Sequence, residues 1–162
     1  MDSDRLVHVL HQSVRSIGSG LNFILEPHGI YSSEWSIITT LYQKKDISQK
    51  ELANYLCIEP AAISKTVVKL EKKGYIDRKE GLDKREKIVF LTSLALENYP
   101  TWQSLVAKHR QALLENTTQI EQQTLYDLLT KIYKNAEHYT QVFKGESQNA
   151  TTDQRTTLDK KL

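Results

Sequence analysis

The chain has 162 residues, with 22 Lys and Arg against 20 Asp and Glu and a formal net charge of +2. This length suits one compact domain, or a domain that shares its core with a second copy, and the small net charge does not by itself indicate a nucleic-acid ligand. A single cysteine excludes an internal disulfide, and there is neither a signal-peptide pattern nor an apolar run of membrane-spanning length, so we expect a cytoplasmic protein without a membrane partner.

Two amphipathic helices are predicted in the first 45 residues. Apolar residues recur at three- and four-residue steps from Leu6 to Leu25, and this helix ends near Pro27-His28-Gly29. Ser32 or Ser33 is placed to cap a second helix that runs to about Lys44. The connection to the next segment is short, so both parts are expected to share a core.

A helix, a tight turn and a second helix follow. Ser48-Gln49-Lys50-Glu51 has the capping-box pattern at the start of a helix, and Cys57-Ile58-Glu59 forms the turn. Pro60 suits the first position of the second helix, where its missing N–H has no helical partner to lose. Ile63, Val67 and Leu70 then fall on one buried line, which leaves small residues and lysines on the other side.

A β-hairpin with a basic loop is predicted after Gly74, a residue suited to a left-handed helix cap. Its strands are Ile76 to Glu80 and Lys87 to Leu91, and the loop between them carries Lys84 and Arg85. The segment from Lys44 to Lys87 holds 12 Lys and Arg against 8 Asp and Glu, so the positive charge is concentrated in this part of the chain.

Two further amphipathic helices and a polar tail complete the chain. One begins near Thr92, and the other has apolar residues at helical spacing from Leu125 to Phe143. Together with the first helix they carry more apolar surface than a small domain covers, which predicts a homodimer built from these helices. Residues 144–162 are polar and are predicted to be a flexible tail.

Residues 62–78 and 83–92 resemble the signature of the multiple antibiotic resistance regulator (MarR) family of winged helix-turn-helix proteins. The resemblance is most specific at Lys73-Gly74-Tyr75-Ile76-Asp77-Arg78 and at Asp83-Lys84-Arg85, which is followed at fixed spacing by Leu91-Thr92. The resemblance spans about residues 4–143, although Lys84 stands where the family more often has Arg. It implies a mainly α fold with a small β-hairpin wing.

The resemblance also implies a division of the chain and a function. Residues 31–92 are the expected winged helix-turn-helix DNA-binding domain, and residues 1–30 and 93–143 are the expected helical dimerisation region. The implied function is a transcriptional regulator, in most members a repressor, that binds a pseudo-palindromic operator in double-stranded DNA as a homodimer. A small phenolic or aromatic acid is the implied effector.

The candidate DNA contacts combine the basic helix face with what the resemblance implies. The helix face is expected in the major groove, with the small residues near base edges and the cations near bases and phosphates. The resemblance places Arg85 in the minor groove, with Asp83 steadying the loop, and leaves Arg78 as a phosphate contact or a brace of the wing. The full set is Ser48, Gln49, Pro60, Ala61, Ala62, Ser64, Lys65, Lys69, Arg78, Asp83, Lys84 and Arg85.

Candidate effector contacts cluster around the first two helices, where the resemblance implies an aromatic-anion site. They are His11, Arg15, His28, Tyr31, Trp35 and Tyr42. Aromatic residues at helical spacing are also what an ordinary core requires.

Four other interpretations have weaker support. Cys57 could act as a redox switch beside the second helix, although a small buried turn residue explains it as well. His8 and His11 are one helical turn apart but lack an acidic or cysteine cluster, so no metal or other cofactor is predicted. Catalytic motifs are absent from the sequence. A winged-helix module that binds protein instead of DNA is the main alternative, and it predicts an apolar second helix face.

Overall fold

A computed structural model of the chain describes the backbone of residues 2–81 and 86–158 and the side chains of residues 2–81 and 86–143. It divides into two compact units, Met1–Leu113 and Leu114–Leu162. The first unit contains α1 (Ser3–Leu25), α2 (Ser32–Lys44), β1 (Ile47–Ser48), α3 (Gln49–Leu56), α4 (Pro60–Lys72), β2 (Ile76–Glu80), β3 (Lys87–Leu91) and α5 (Ser93–Leu113), and the second contains α6 (Gln119–Leu158).

The end of α1 and the start of α2 are set by backbone chemistry. A short 3-10 turn at Glu26–His28 follows α1 and closes at Gly29, whose φ of 77° is left-handed and favours glycine. The predicted end of the first helix is therefore confirmed. The predicted cap of the second helix is wrong, because the N-cap is Tyr31 and its N–H donates to the Glu34 carboxylate at 2.9 Å.

The strands form a three-stranded antiparallel sheet in the order β1-β3-β2. The predicted hairpin is confirmed, with Ile76 opposite Leu91 and Glu80 opposite Lys87. The sequence analysis did not predict β1, in which Ile47 pairs with Val89 on the other edge of β3. A two-residue strand has almost no periodicity of its own, and it forms here because β3 offers an unpaired edge.

The core of the first unit collects one face of each element. Ile63, Val67 and Leu70 of α4 are at most 1 % exposed, as the spacing predicted. Trp102 of α5 is 1 % exposed, and its indole N–H donates to the His28 carbonyl at 3.4 Å. The core therefore holds the connection after α1 against α5 by a directional bond as well as by burial.

The second unit is one long helix, which continues to Leu158. The prediction that helical structure ends near residue 143 is therefore wrong for the backbone. Residues 144–158 include Gly145 and four Thr, which are weak helix formers, so helix propensity does not explain why the helix continues. Flexibility of residues 144–162 stays a prediction.

Apolar side chains remain exposed along both α1 and α6. They include Leu6, Val14, Ile17 and Phe23 on α1, and Leu125, Leu128, Leu129, Ile132, Tyr139 and Phe143 on α6. Contiguous apolar faces of this kind mark interaction surfaces in soluble proteins. In residues 2–81 and 86–158, no helix is both long enough and apolar enough to cross a membrane.

The capping box at the start of α3 is confirmed and should contribute measurably to stability. The Glu51 N–H donates to the Ser48 hydroxyl at 3.2 Å, and the Ser48 N–H donates back to the Glu51 carboxylate at 2.9 Å. We expect Ser48→Ala to lower the free energy of unfolding by about 0.5–2 kcal/mol, measured by urea denaturation, because a backbone donor loses its partner.

Ser104→Ala on the exposed face of α5 is the control, and an equally small loss in both variants would contradict the assignment. The Ser48 N–H and hydroxyl lower the pKa of the Glu51 carboxyl below its ordinary value of 4.5. The stability contributed by ionised Glu51 is therefore complete above that value and is lost as pH falls through the lowered one. Ser48→Ala removes the hydroxyl but keeps the backbone N–H, which is the larger cause, so it should reduce this acid dependence without abolishing it.

Candidate nucleic-acid interface

The outward face of α4 is small, polar and cationic. Its buried line of Ile63, Val67 and Leu70 fixes which side faces solvent, and the exposed side carries Ala61, Ala62, Ser64, Lys65 and Lys69. Lys65 and Lys69 are one turn apart, so their charges lie in a row along the helix. The structure thus brings the central predicted contacts together on one surface.

The first turn of α3 adjoins this face. The Ser64 hydroxyl donates to the Gln49 side-chain oxygen at 3.2 Å, which ties the two helices at the exposed surface. Ser48, by contrast, is 1 % exposed and its hydroxyl is used in the α3 cap. We therefore remove Ser48 from the candidate contacts, whereas Gln49 remains.

Arg78 is a residue of β2, and its side chain connects this strand to α4. Its Nε donates to Glu71 Oε1 at 2.9 Å, and a second guanidinium nitrogen contacts Glu71 Oε2, so the pair is bidentate. An Arg whose Nε and one terminal nitrogen both contact a carboxylate is held in position and has fewer N–H groups left for a phosphate. Of the two roles that the resemblance left open, the geometry favours bracing of the wing.

The base of the wing is closed by backbone and charged contacts. The Gly81 N–H donates to the Glu86 carbonyl at 2.9 Å, and Lys87 Nζ lies 3.9 Å from Glu80 Oε1. Lys79 pairs with Asp46 in the segment before β1. The predicted contacts Asp83, Lys84 and Arg85 lie outside the described residues.

Lys73, directly after α4, has a role that the sequence analysis did not predict. Its Nζ lies 2.7 Å from both carboxylate oxygens of Glu34 and donates to the Gly29 carbonyl at 2.9 Å. Glu34 is only 2 % exposed. The sequence carries no signal for this pair, because Glu34 lies among Ser32, Ser33 and Ser36 and its burial is seen only in the structure, where a buried carboxylate requires a partner.

The six predicted effector contacts divide into separate environments. Trp35 is buried and stacks on Tyr99 of α5 with 5.3 Å between ring centroids, and the exposed Tyr42 stacks on Tyr99 at 3.7 Å. Tyr31 is exposed, and His11, Arg15 and His28 are also exposed, the first two on α1. Trp35 is therefore a core residue, in agreement with the alternative interpretation of the aromatic residues in the sequence analysis.

Tyr31 lies beside charged side chains. Its hydroxyl donates to Glu26 Oε1 at 3.0 Å. This hydrogen bond and the charge of Glu26 raise the pKa of the Tyr31 hydroxyl, and the charge of Glu34 acts in the same direction. The Lys73 ammonium lies 5.3 Å from the centroid of the Tyr31 ring and pairs with Glu34, so the charges beside Tyr31 have both signs and do not oppose the predicted contact with an aromatic acid.

Cys57 occupies the turn between α3 and α4 in a left-handed conformation, with φ of 53°. This explains why the position suits glycine, but the expected burial is wrong, because the residue is exposed. Cys57 is the C-cap of α3, and its thiol donates to the Asn54 carbonyl with 3.7 Å between Sγ and the oxygen. In the described part of the chain, no group of three or more His, Cys, Asp or Glu is placed to hold a metal ion.

Comparisons with known proteins agree with this geometry. The model of the MarR family matches residues 30–87. The HTH-type transcriptional regulator YwoH of Bacillus subtilis is 38% identical over 109 residues, which cover 67% of this chain and 80% of that protein. A crystal structure of a cysteine-to-serine mutant of E. coli MarR complexed with operator DNA has a TM-score of 0.75 and 26% identity, and the match covers 79% of this chain and 93% of that one.

A MarR transcriptional regulator from Methanosarcina mazei is similar in fold, with a TM-score of 0.74 at 22% identity. That match covers 84% of this chain and 92% of the other. The winged helix-turn-helix fold predicted from the sequence is thereby confirmed.

The bracing role of Arg78 can be tested by a double-mutant cycle with Glu71. We expect Arg78→Ala and Glu71→Ala to be coupled in the free energy of unfolding by about 0.2–1 kcal/mol, the range for a partly exposed ion pair. The cycle is measured by thermal denaturation. Zero coupling together with a reduced salt dependence of DNA binding in Arg78→Ala would instead make Arg78 a phosphate contact.

Proposed function

The chain belongs to the MarR family of HTH transcriptional regulators, and on that premise we propose that it is a repressor that binds a pseudo-palindromic DNA duplex as a homodimer and is released by a small aromatic effector. The outward face of α4 carries this proposal. Its small side chains allow close approach to base edges, and its lysines favour a polyanion. Val68 is 37 % exposed on this helix, but Lys65, Lys69 and Lys72 are exposed beside it, so α4 does not present the apolar face that a protein-binding module requires.

The proposed docking places α4 in the major groove. Ala61, Ala62 and Lys65 then lie nearest the base edges, and Lys69 reaches a phosphate. Gln49, held beside Ser64 at 3.2 Å, lies at the start of α3, where backbone N–H groups attract phosphate. The wing follows β2 and β3 toward the adjacent minor groove, with Arg85 as its proposed contact and Asp83 as support.

Binding of a selected duplex is the main test. Fragments recovered from random DNA by the protein should contain an inverted repeat with half-sites about one helical turn apart, because a two-fold dimer presents two copies of α4. Affinity for this duplex should fall steeply with salt as counterions are released. Failure to enrich any inverted repeat would contradict the proposal.

Alanine substitutions distinguish contacts to the bases from contacts to the phosphates. We expect Lys65→Ala and Arg85→Ala each to weaken binding by about 1–3 kcal/mol, and Lys69→Ala to lower the salt slope by about 1. Lys108→Ala on the exposed face of α5 is the matched control and should change neither quantity. A shallow salt slope with all three variants binding normally would favour the protein-interaction alternative.

Repression follows from occupancy of the operator. A dimer bound across two major grooves excludes polymerase wherever its site overlaps a promoter. Transcription in vitro from a template carrying the selected duplex across the promoter should therefore fall when the protein is added. An increase in transcript would make the protein an activator and overturn this part of the proposal.

The proposed dimer buries apolar faces that the single chain leaves in water. Leu6, Val14 and Ile17 of α1 are 40–63 % exposed, and Leu128 and Ile132 of α6 are 51 % and 42 % exposed. Burial of such side chains stabilises association by roughly 25 cal/mol for each Å² removed from water. Two copies that pair these helices about a two-fold axis remove that exposure.

Sedimentation tests the dimer directly. The protein at micromolar concentration should sediment with twice the 18.7 kDa chain mass. We expect Leu128→Asp to shift it toward monomer, because a buried unpaired carboxylate opposes association. Gln141→Asp on the opposite side of α6 introduces the same group outside the apolar stripe and should leave the dimer intact. Equal behaviour of the two variants would exclude this stripe as the interface.

The proposed effector site is the exposed surface around Tyr31, and His11, Arg15, His28 and Tyr42 stay candidate contacts from the resemblance alone. Glu26 and Glu34 lie beside Tyr31, but the Lys73 ammonium pairs with Glu34 and lies over the Tyr31 ring, so the aromatic acid predicted from the sequence has a cation to meet there. A ligand that prefers one spacing of the two DNA-binding lobes shifts DNA affinity by linkage, typically by about 1–3 kcal/mol.

Salicylate and its neutral amide distinguish the two cases. We expect the acid to release the selected duplex at lower concentration than the amide, and Tyr31→Ala to weaken the effect. DNA affinity measured with each compound and with neither provides the readout. If the amide acts at lower concentration than the acid, the carboxylates outweigh Lys73, and if neither compound changes DNA affinity, this surface is not an effector site.

A further inference from the structure

Lys73 joins three segments that are distant in sequence. It follows the last turn of α4, and its Nζ donates at 2.7 Å to both oxygens of Glu34 in the first turn of α2 and at 2.9 Å to the Gly29 carbonyl in the α1–α2 connection. The Glu34 carboxylate also accepts the Tyr31 N–H at 2.9 Å. Each polar group of the cluster therefore has a partner.

The position of the pair suits both helices. Glu34 lies near the positive end of the α2 dipole, and Lys73 lies near the negative end of the α4 dipole. The Lys73 side chain is 31 % exposed, whereas that of Glu34 is 3 % exposed. The carboxylate therefore depends on Lys73 for its charge compensation, while Lys73 retains access to water.

Directional contacts fix what apolar packing leaves adjustable. Ile63, Val67 and Leu70 hold α4 against the core, but apolar contacts are non-directional and permit small rotations and shifts along the helix axis. Three short contacts from one ammonium group fix the end of α4 relative to α2 and to Gly29. The face that carries Lys65 and Lys69 is thereby fixed as well.

We infer that Lys73 is a positioning residue for DNA binding, which sets the register and orientation of α4 through Glu34 and the Gly29 carbonyl instead of contacting DNA itself. This inference rests on the proposed function, because it assigns α4 to the major groove. It predicts that Glu34, a negative residue, supports binding to a negative ligand. Simple charge complementarity predicts the opposite, since removal of a carboxylate should favour DNA.

The test compares Lys73→Gln, Glu34→Gln and the double variant in the full-length protein, with Lys72→Gln as the control that removes a neighbouring exposed charge. Affinity is titrated against the inverted-repeat duplex selected by the unaltered protein, at a temperature where circular dichroism shows every variant folded. We expect Lys73→Gln to weaken binding about tenfold or more, and Lys72→Gln about threefold or less, by the loss of one non-specific contact. Glu34→Gln should weaken binding about threefold or more, although it removes a negative charge.

The effects of Lys73→Gln and Glu34→Gln on DNA affinity should not add. Both single changes break the same contact, so the double variant should bind no worse than Lys73→Gln alone. Binding by Glu34→Gln that equals or exceeds that of the unaltered protein would overturn the inference and make Lys73 a phosphate contact. Unchanged DNA affinity in all folded variants, with only the melting temperature lowered, would also overturn it, because the pair would then serve stability alone.

A DNA-free measurement separates this inference from the proposed function. Amide hydrogen exchange at residues 69–74 should be faster in Lys73→Gln than in Lys72→Gln, because the end of α4 loses its fixed contact. If the unaltered protein selects no duplex, the proposed function fails while this measurement still reports on the positioning of α4. Equal exchange in the two variants would overturn the inference whatever the DNA result.

Discussion

The contact between Lys73 and Glu34 is the interaction on which the arrangement of the DNA-binding unit depends. Burial of a carboxylate costs several kcal/mol unless a cation and hydrogen-bond donors compensate it. Lys73 and the Tyr31 N–H supply that compensation at 2.7 Å and 2.9 Å. Since Lys73 also holds the Gly29 carbonyl, the end of α4, the start of α2 and the end of α1 cannot move independently without leaving a charge unpaired.

Around this contact, apolar and polar interactions have separate tasks. The buried line on α4 determines which face points to solvent, because those side chains have a large free-energy gain from leaving water. Polar pairs then fix the details, with Ser64 on Gln49 at the exposed surface and Arg78 on Glu71 at the base of the wing. Ser48 and Arg78 resemble DNA contacts by residue type, but their side chains stabilise the α3 cap and the base of the wing.

The remaining surface is divided by chemistry. The α4 face is cationic and small, the α1 and α6 faces are apolar, and the surface beside Tyr31 combines an aromatic ring with charges of both signs. Such a division suits a polyanion, a second copy of the chain and a small ligand, respectively. Lys73 donates to the Gly29 carbonyl, so the connection between α1 and α2 is in direct contact with the end of α4.

The sequence by itself determined the elements whose signal is local. The Ser48–Glu51 cap, Pro60 at the start of α4, its buried line and the β2–β3 hairpin all depend on residues within a few positions of each other, so periodicity and capping patterns were sufficient. The resemblance to the MarR family added the function. Only the tertiary structure decided what depends on distant partners: β1 forms because β3 has an open edge, Arg78 becomes a brace because Glu71 lies beside it, and Trp35 becomes core because Tyr99 stacks on it. The role of Lys73 could not be predicted for the same reason. Its partners Glu34 and Gly29 are 39 and 44 residues away, a separation that no local pattern can span.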